Sequence, residues 1–317
     1  MINKLKIIRA EGVYPYRNQA IENYLLDTCK TGEMILYLWA NDKTVFIGKN
    51  QNAYTECKIS SLVADGGYIA RRFTGGGAVY HDKGNLNFTF LTCREDYNIS
   101  NQFAVILDAM RNLGFNAELN GRNDVTIDGK KFSGNAFYKS RTACLHHGTV
   151  LINSNKNAIA KYLNVGHVKL NAKGVKSVKS RVCNLCEYRA VGISDVADAL
   201  QRAFTDRFPN AERHFLKESD LPEDKLKTLT ERFADQSYVL GDDIHYSVEF
   251  EYRYTWGDAD IRLEFNGDKI EKARIYSDAL DTGAVELKEK LLTGLDLTKP
   301  VDPRIKDIID ILKAEKT

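Results

Sequence analysis

The sequence predicts a mixed α and β protein in two parts. The chain has 317 residues, and at roughly 150 residues per domain that suggests about two domains. Helix and strand patterns alternate through the first two hundred residues. Beyond residue 245, three alternating strand patterns and two helix patterns crowd together, which makes a small α+β unit. The division is therefore expected as 1–245 and 246–317.

The elements can be justified in order. Leu86, Phe88 and Phe90 alternate with Asn87 and Thr89, the pattern of a half-buried strand. Asn101 to Leu113 reads as a helix, with Ser100 or Asn101 as its N-cap and Gly114 as its stop. Ile127-Asp128-Gly129-Lys130 predicts a tight hairpin, because Asp-Gly suits a type I′ turn. Ser194 is expected to cap a helix running to about Phe208, with Val196, Leu200 and Phe204 on one face. Residues 209–247 are more polar and read as helical or irregular. Then Val248, Phe250, Tyr252, Tyr254 and Trp256 alternate with charged or polar residues, and Ile261, Leu263 and Phe265 continue the pattern. Asn266-Gly267-Asp268 turns into a strand through Ile270 and Ile275. Ala284 to Leu292 and Pro303 to Ala314 read as closing helices, the second with Ile305, Ile308, Ile309 and Leu312 on one side.

Composition narrows the function classes. Hydrophobic residues make up 43% and charged residues 28%, ordinary for a globular chain. The 45 Lys and Arg against 43 Asp and Glu leave a net charge of +2, not the basic excess of a nucleic-acid binder. The longest apolar stretch near the start, Met34 to Ala40, is far too short to span a membrane. The charged segment Met1 to Gly12 has no apolar signal core. Six thinly spread cysteines read as reduced thiols, so a cytoplasmic location is expected, with neither nucleic acid nor membrane as partner.

Four segments carry chemistry. In Arg71-Arg72-Phe73-Thr74-Gly75-Gly76-Gly77-Ala78-Val79-Tyr80-His81-Asp82, three glycines let the backbone approach a ligand and bare amides can cradle an anion. Two arginines can add charge-assisted contacts to carboxylate or phosphate; alternatively the segment is a glycine-rich turn with solvated arginines. The Walker and dinucleotide fingerprints are absent. In Gly121 to Ala136, the hairpin puts Lys131 near the start of a strand with the small residues Ser133, Gly134 and Ala136. Asn123 and Asp124 could help hold Mg²⁺, since a hard cation prefers oxygen ligands; the plainer reading is a turn with solvated lysines. His146 and His147 are adjacent, so on a strand they point to opposite faces and chelate one metal poorly. A hydrogen-bonding place in a pocket wall suits them better. Lys173, Lys176, Lys179 and Arg181, interleaved with Gly and Ser, could close over a polyanion or form a solvated basic loop. The single Cys183-x-x-Cys186 is read as two incidental thiols, since a zinc site of this type needs a second pair.

Taken in order, RRFTGGGAVYHDKGNLNFTF, GRNDVTIDGKKFSGNAFY, HHGTVLIN and KGVKSVKSRVCNL resemble the lipoate–protein ligase A family, and Tyr254 to Gly257 (YTWG) is similar to its accessory domain. The resemblance implies an α+β fold like that of class II aminoacyl-tRNA synthetases and biotin protein ligases, mixed sheets with helices, plus the C-terminal accessory domain. It implies activation of lipoate by ATP and Mg²⁺ to lipoyl-AMP, then transfer to a lysine. The acceptors implied are the lipoyl domains of 2-oxoacid dehydrogenase acyltransferase subunits and the glycine-cleavage H protein. Lys131 would be the catalytic lysine, between acyl carbonyl and phosphate. Arg72 would hold phosphate. Gly75, Gly76 and Gly77 would close on lipoate, with Gly77, Ala78, Val79 and Tyr80 along the nucleotide. Asn123 and Asp124 would sit near the phosphates, Asp124 as the metal ligand. The implied binding set also takes in Asn85, Gly134, His147, Gly148, Thr149, Lys173, Ser180 and Arg181, the last three within an adenylate-binding flap over Lys173 to Arg181.

Cys183 and Cys186 depart from the family, which more commonly shows Thr there. That raises a first rival: an ATP-independent lipoyl or octanoyl transferase with Cys183 or Cys144 as thioester nucleophile. A non-catalytic lipoate-binding protein is a second, and a biotin ligase a third. The intact Lys131, Arg72 and triple glycine favour the ligase.

Overall fold

The computed structural model describes residues 1–121, 123–164, 182–241 and 246–315. Lys173, Ser180, Arg181 and the rest of the expected flap lie outside the described residues, as does the expected division at 245. Among the described residues no helix is long and apolar enough to cross a membrane.

A large mixed sheet organises the first part. Its strands in chain order are β1 (Lys4–Arg9), β2 (Glu33–Trp39), β6 (Asn85–Cys93), β7 (Glu118–Asn120), β8 (Asp124–Ile127), β9 (Lys130–Lys139), β10 (Ala143–Leu151) and β11 (Glu212–Leu216). They lie side by side as β11-β1-β2-β6-β10-β9-β8-β7. The β11-β1-β2 pairs are parallel and the others antiparallel. A second sheet sets β3 (Thr44–Ile47) between β4 (Tyr68–Arg71) and β5 (Val79–His81).

Every residue of β2 is buried, as a continuous apolar run predicts for a strand covered on both faces. Helices α2 (Ile99–Asn112) and α3 (Ile193–Arg207) cover one face through Phe103, Ile106, Met110, Leu200 and Phe204. Helices α1 (Pro15–Asp27) and α4 (Glu223–Ala234) share a second core with the small sheet.

Several expectations need correction. The strand through Leu86–Phe90 is buried on both faces, not half-buried, because its polar residues Asn87 and Thr89 face inward into a cavity and a hydrogen-bond network. Helix α2 starts two residues earlier than expected: the Asn98 side chain, not Ser100 or Asn101, accepts the Asn101 N–H. Helix α3 follows Gly192, whose N–H donates to the Asp195 carboxylate, so Ser194 is inside the helix. Within 209–247, polar Glu212–Leu216 pairs with β1 as an edge strand, where only half the backbone needs a partner and apolar alternation is weak. The hairpin is as expected, with φ of +50° at Asp128 and +71° at Gly129, the signs a type I′ turn requires.

The C-terminal part stacks β12 (Val248–Tyr254), β13 (Gly257–Asn266) and β14 (Lys269–Ser277) antiparallel against α5 (Thr282–Leu292) and α6 (Lys306–Glu315). Pro303–Ile305 forms a 3-10 turn ahead of α6 instead of its first α turn. Ile261, Leu263, Ile275, Ile305, Ile308, Ile309 and Leu312 make a core separate from the other two. Trp256 is not on the strand; it sits in the turn, stacked 4.8 Å from Tyr254, and donates to Asp307 at 2.8 Å. This unit meets the first through backbone bonds, Ser277 N–H to Asn50 O at 2.7 Å and Gly76 N–H to Ala279 O at 3.1 Å, and through a Lys49–Glu286 ion pair.

Candidate active site

Between the large sheet and the glycine strip lies a cavity of about 180 Å³. Its floor comes from neighbouring strands: Trp39 pairs with Asn87, and Asn87 with Thr149. The Thr149 hydroxyl in turn accepts from the Gly134 N–H at 3.2 Å. Its opposite wall is Gly76, Gly77, Ala78 and Val79 with Phe46 and His81. Glycine backbone can approach a ligand there without Cβ interference; Gly76 adopts φ +93°, with its own N–H donated to Ala279 O.

Lys131 lines this cavity from β9. Its ammonium is 2.7 Å from Asp124 Oδ1, with both side chains about one-third exposed (37% and 36%). The rigid hairpin supplies the placement: Thr126 on β8 is register partner to Lys131, and Cys183 N–H donates to the Lys131 carbonyl at 2.9 Å. Gly134 makes room for the side chain, since a Cβ there would lie 2.8 Å from Lys131 Nζ.

Arg72 also touches the cavity, yet its guanidinium is largely engaged by the backbone. It donates to Gly75 O at 3.2 and 2.8 Å, to Gly77 O at 2.8 Å and to Phe46 O at 3.2 Å. These bonds take four of its five N–H groups and tie the glycine strip into shape. Burial draws its pKa down to about 10, which leaves it cationic at neutral pH.

A buried relay closes another part of the wall. Glu22 Oε1 accepts from Thr89 Oγ1 at 2.7 Å and is 2.8 Å from His147 Nδ1, while His147 Nε2 is 2.9 Å from Thr74 Oγ1. His146 points to the opposite face, between Gln102 and Asn135 at 3.1 and 2.8 Å. The two rings therefore cannot share a metal. Among the described residues no three His, Cys, Asp or Glu converge as a metal cluster. The carboxylate at the cavity's edge, Asp124, is ion-paired to Lys131, and a single carboxylate completed by phosphate and water is a shell that Mg²⁺ commonly takes.

Of the sequence-derived candidates, Arg72, Gly76, Gly77, Ala78, Val79, Asn123, Lys131, Gly134, His147, Gly148 and Thr149 line the one cavity. Four do not. Gly75 is covered by the backbone of Ala279 and Leu280. Tyr80 points away, because strand alternation puts Val79 and His81 on the cavity side and packs Tyr80 5.5 Å from Tyr162. Asn85 is buried behind Asn87, to which it donates at 2.9 Å. Asp124 acts on the wall through Lys131. Sequence reading missed Glu22, Trp39, Phe46, His81, Asn87, Asn135 and Ala136. A signal existed for two: Glu22 is a charge on the buried side of α1, and Asn87 a polar residue inside an apolar strand.

Comparison with known proteins agrees with this geometry. The lipoyl protein ligase A/B catalytic domain family matches residues 14–205, and the bacterial lipoate protein ligase C-terminus matches residues 243–313. The lipoate-protein ligase A of Psychrobacter cryohalolentis is 37% identical over 304 residues, 93% of this chain and 90% of its own length. The chain belongs to the lipoate–protein ligase A family. It is therefore a ligase of that family, and the mixed α+β architecture with a small C-terminal unit is the expected one. The Bdellovibrio bacteriovorus lipoate-protein ligase A is 33% identical over 92% of this chain and 88% of its own. The crystal structure of Plasmodium falciparum LipL1 with lipoate superposes with a TM-score of 0.81 at 28% identity, covering 98% of each chain. A lipoate-protein ligase A bound with ATP gives 0.63 at 26% identity, over 76% of this chain and 99% of its own. A bipartite ligase from Thermoplasma acidophilum, described with its E2 lipoyl domain, gives 0.66 at 27% identity, over 78% and 100%.

Proposed function

We propose that the chain condenses lipoate with ATP to lipoyl-AMP and then moves the lipoyl group onto a lysine of an acceptor lipoyl domain. In the first step a carboxylate oxygen of lipoate bonds to the α-phosphorus, and the bond to the β-phosphate bridging oxygen breaks, releasing pyrophosphate. In the second, the acceptor amine attacks the acyl carbon, AMP leaves, and an amide forms with loss of a proton. The carboxylate is already nucleophilic at neutral pH, so the site's work is to align two anions and neutralise their repulsion.

The observation that carries this reading is Lys131, an ammonium on a rigid strand facing the glycine strip across the cavity. Lys131 would bridge the acyl carbonyl and the phosphate, and Asp124 would orient it. Arg72 would act mainly by fixing the strip, with one N–H left for phosphate. Glycine-strip amides would line the nucleotide beside Asn123 and Thr149. Mg²⁺, held through Asp124 and the phosphates, would supply additional charge neutralisation. Lys173, Ser180 and Arg181 are proposed to cover the adenylate. The acceptors proposed are lipoyl domains of 2-oxoacid dehydrogenase acyltransferase subunits and the glycine-cleavage H protein; the relative described with an E2 lipoyl domain supports the class.

The thioester alternative has less support. Cys144 and Cys183 are fully buried and neither lines the cavity, and burial pushes both thiols up, opposite to an activated nucleophile.

The test is lipoate-dependent exchange of pyrophosphate into ATP, with mass spectrometry of a lipoyl domain for the second step. Lys131→Ala should reduce exchange on the order of 10²-fold or more while the protein stays folded. Normal exchange by that variant would remove the assignment.

A further inference from the structure

A second cavity, of about 250 Å³, lies apart from the first, in the seam between the first part and the C-terminal unit. Lys49, Gln51 and Arg71 line it from one side, and Arg274, Glu286 and Glu289 from the other. Three cations thus meet two carboxylates. Lys49 is paired with Glu286, and Arg274 with Glu289 at 3.4 Å. Arg71 is 9% exposed, and every partner it has among the described residues is a carbonyl oxygen. Gly48, Lys49 and Gln51 accept from Nη1, and Tyr238 and Val239 from Nε. Nη2 gives one bond, to Leu240 O at 3.3 Å, so one of its two N–H groups is uncommitted. Burial draws the Arg71 pKa down, and the nearby Arg274 cation draws it further. Two guanidiniums at one cavity repel each other, and an anion between them relieves that.

Gln51 adds a donor of its own. It is 1% exposed, and its Oε1 accepts the Gly48 N–H at 2.8 Å, which identifies the other terminal atom as nitrogen. That Nε2 has no partner among the described residues. A buried donor without an acceptor is costly to the fold. Arg274, shared with Glu289 and Tyr246, keeps further N–H groups. The donors therefore converge from both parts, and guanidinium forks with a carboxamide are the kind that grips oxyanions. Water could accept from Gln51 and Arg71, but it would leave the excess positive charge in place.

We propose that the seam cavity is a second anion site, which takes a free phosphate oxyanion, orthophosphate or pyrophosphate, on Gln51 Nε2, Arg71 Nη2 and Arg274. Gln51 and Arg71 belong to one part and Arg274 to the other, so the bound anion ties the two together. It does so beside the backbone bond from Ser277 N–H to Asn50 O. It also buttresses the glycine strip from behind: a Cβ on Gly48, whose carbonyl Arg71 holds, would lie 2.1 Å from Gly76 O. None of this depends on the ligase reading.

Hydrogen exchange at the Ser277 amide of the full chain tests the proposal. It is measured with millimolar orthophosphate and with millimolar pyrophosphate, against chloride at equal ionic strength. At least one of the two ions should slow exchange about fivefold or more, saturably. The ion that does so at the lower concentration is the one the cavity takes. Gln51→Glu keeps the acceptor for Gly48 and replaces the donor with a repelling oxygen. Arg274→Gln removes one cation at a partly exposed position. In each of these the slowing should fall below about twofold. Lys131→Ala, which alters only the first cavity, should retain it in full. Absence of slowing by both ions in the wild type overturns the proposal, whatever the variants do. So does undiminished slowing in a folded Gln51→Glu or Arg274→Gln protein. Loss of the effect in Lys131→Ala also overturns it, by placing the anion in the first cavity.

Discussion

At the scale of single residues, the site depends on where one ammonium is held. Gly134 is the neighbour that leaves Lys131 its place. A methyl group there would meet the flexible end of Lys131, not the backbone, so it can be accommodated only by moving the ammonium. Gly134→Ala should therefore change stability by less than about 1 kcal/mol yet slow lipoate-dependent exchange on the order of 10²-fold, the cost of a displaced catalytic group. Denaturant unfolding alongside exchange kinetics checks both, and an unchanged rate would show that Lys131 need not sit there. A second residue-scale expectation concerns pH. Burial holds His146 neutral, with its pKa well below the ordinary 6.5. The unfolded chain takes up a proton near that value and the folded chain does not. Stability is thus fully present above pH 6.5 and declines as pH falls, by up to about 1.4 kcal/mol per pH unit for each such group. His81 adds a parallel loss between 6.5 and about 3. Urea unfolding at several pH values should give a shallower decline for His146→Gln than for the wild type. Identical slopes would mean that His146 is not kept neutral by the fold.

At the scale of elements, the glycine strip is shaped from both sides. Arg72 ties it from within the first part, and the stretch after β14 covers it from the second. A Cβ on Gly75 would fall 2.2 Å from the Ala279 carbonyl oxygen and 2.7 Å from that of Leu280, both backbone atoms that cannot swing aside. Gly75→Ala should therefore detach this stretch. The Gly76 amide, bonded to Ala279 O at 3.1 Å, reports it: hydrogen exchange there should quicken by tenfold or more. Retained protection would show that the contact tolerates the methyl group. The same strip explains why the triple glycine, visible in the sequence as a candidate ligand loop, has unequal members. Gly77 faces the cavity, Gly76 lines it while its N–H holds Ala279 of the second part, and Gly75 serves the contact between the two parts alone.

At the scale of the whole molecule, three cores divide the chain, and the third is confined to residues from Val248 onward. Truncation after residue 245 should leave the first two cores cooperative in denaturant while the Gly76 amide loses protection as it does in Gly75→Ala. A truncated chain with full protection at Gly76 would mean that the C-terminal unit does not brace the strip. The sequence alone determined the local chemistry: the hairpin at Asp128-Gly129, the closing helix face of Ile305, Ile308, Ile309 and Leu312, and a lysine set among small residues, all readable because turn geometry and periodicity act over a few residues. Four ordered motifs also pointed to the family. Tertiary structure alone decided which of those residues share a cavity. Tyr80 turned away by strand alternation, Gly75 disappeared under a distant carbonyl, and Glu22, Trp39, His81 and Asn87 arrived from separate strands and a helix. Pairing register and the packing of two sheets are set by contacts across hundreds of residues, and no local pattern encodes which polar group in an apolar strand will face a ligand and which will face its neighbour.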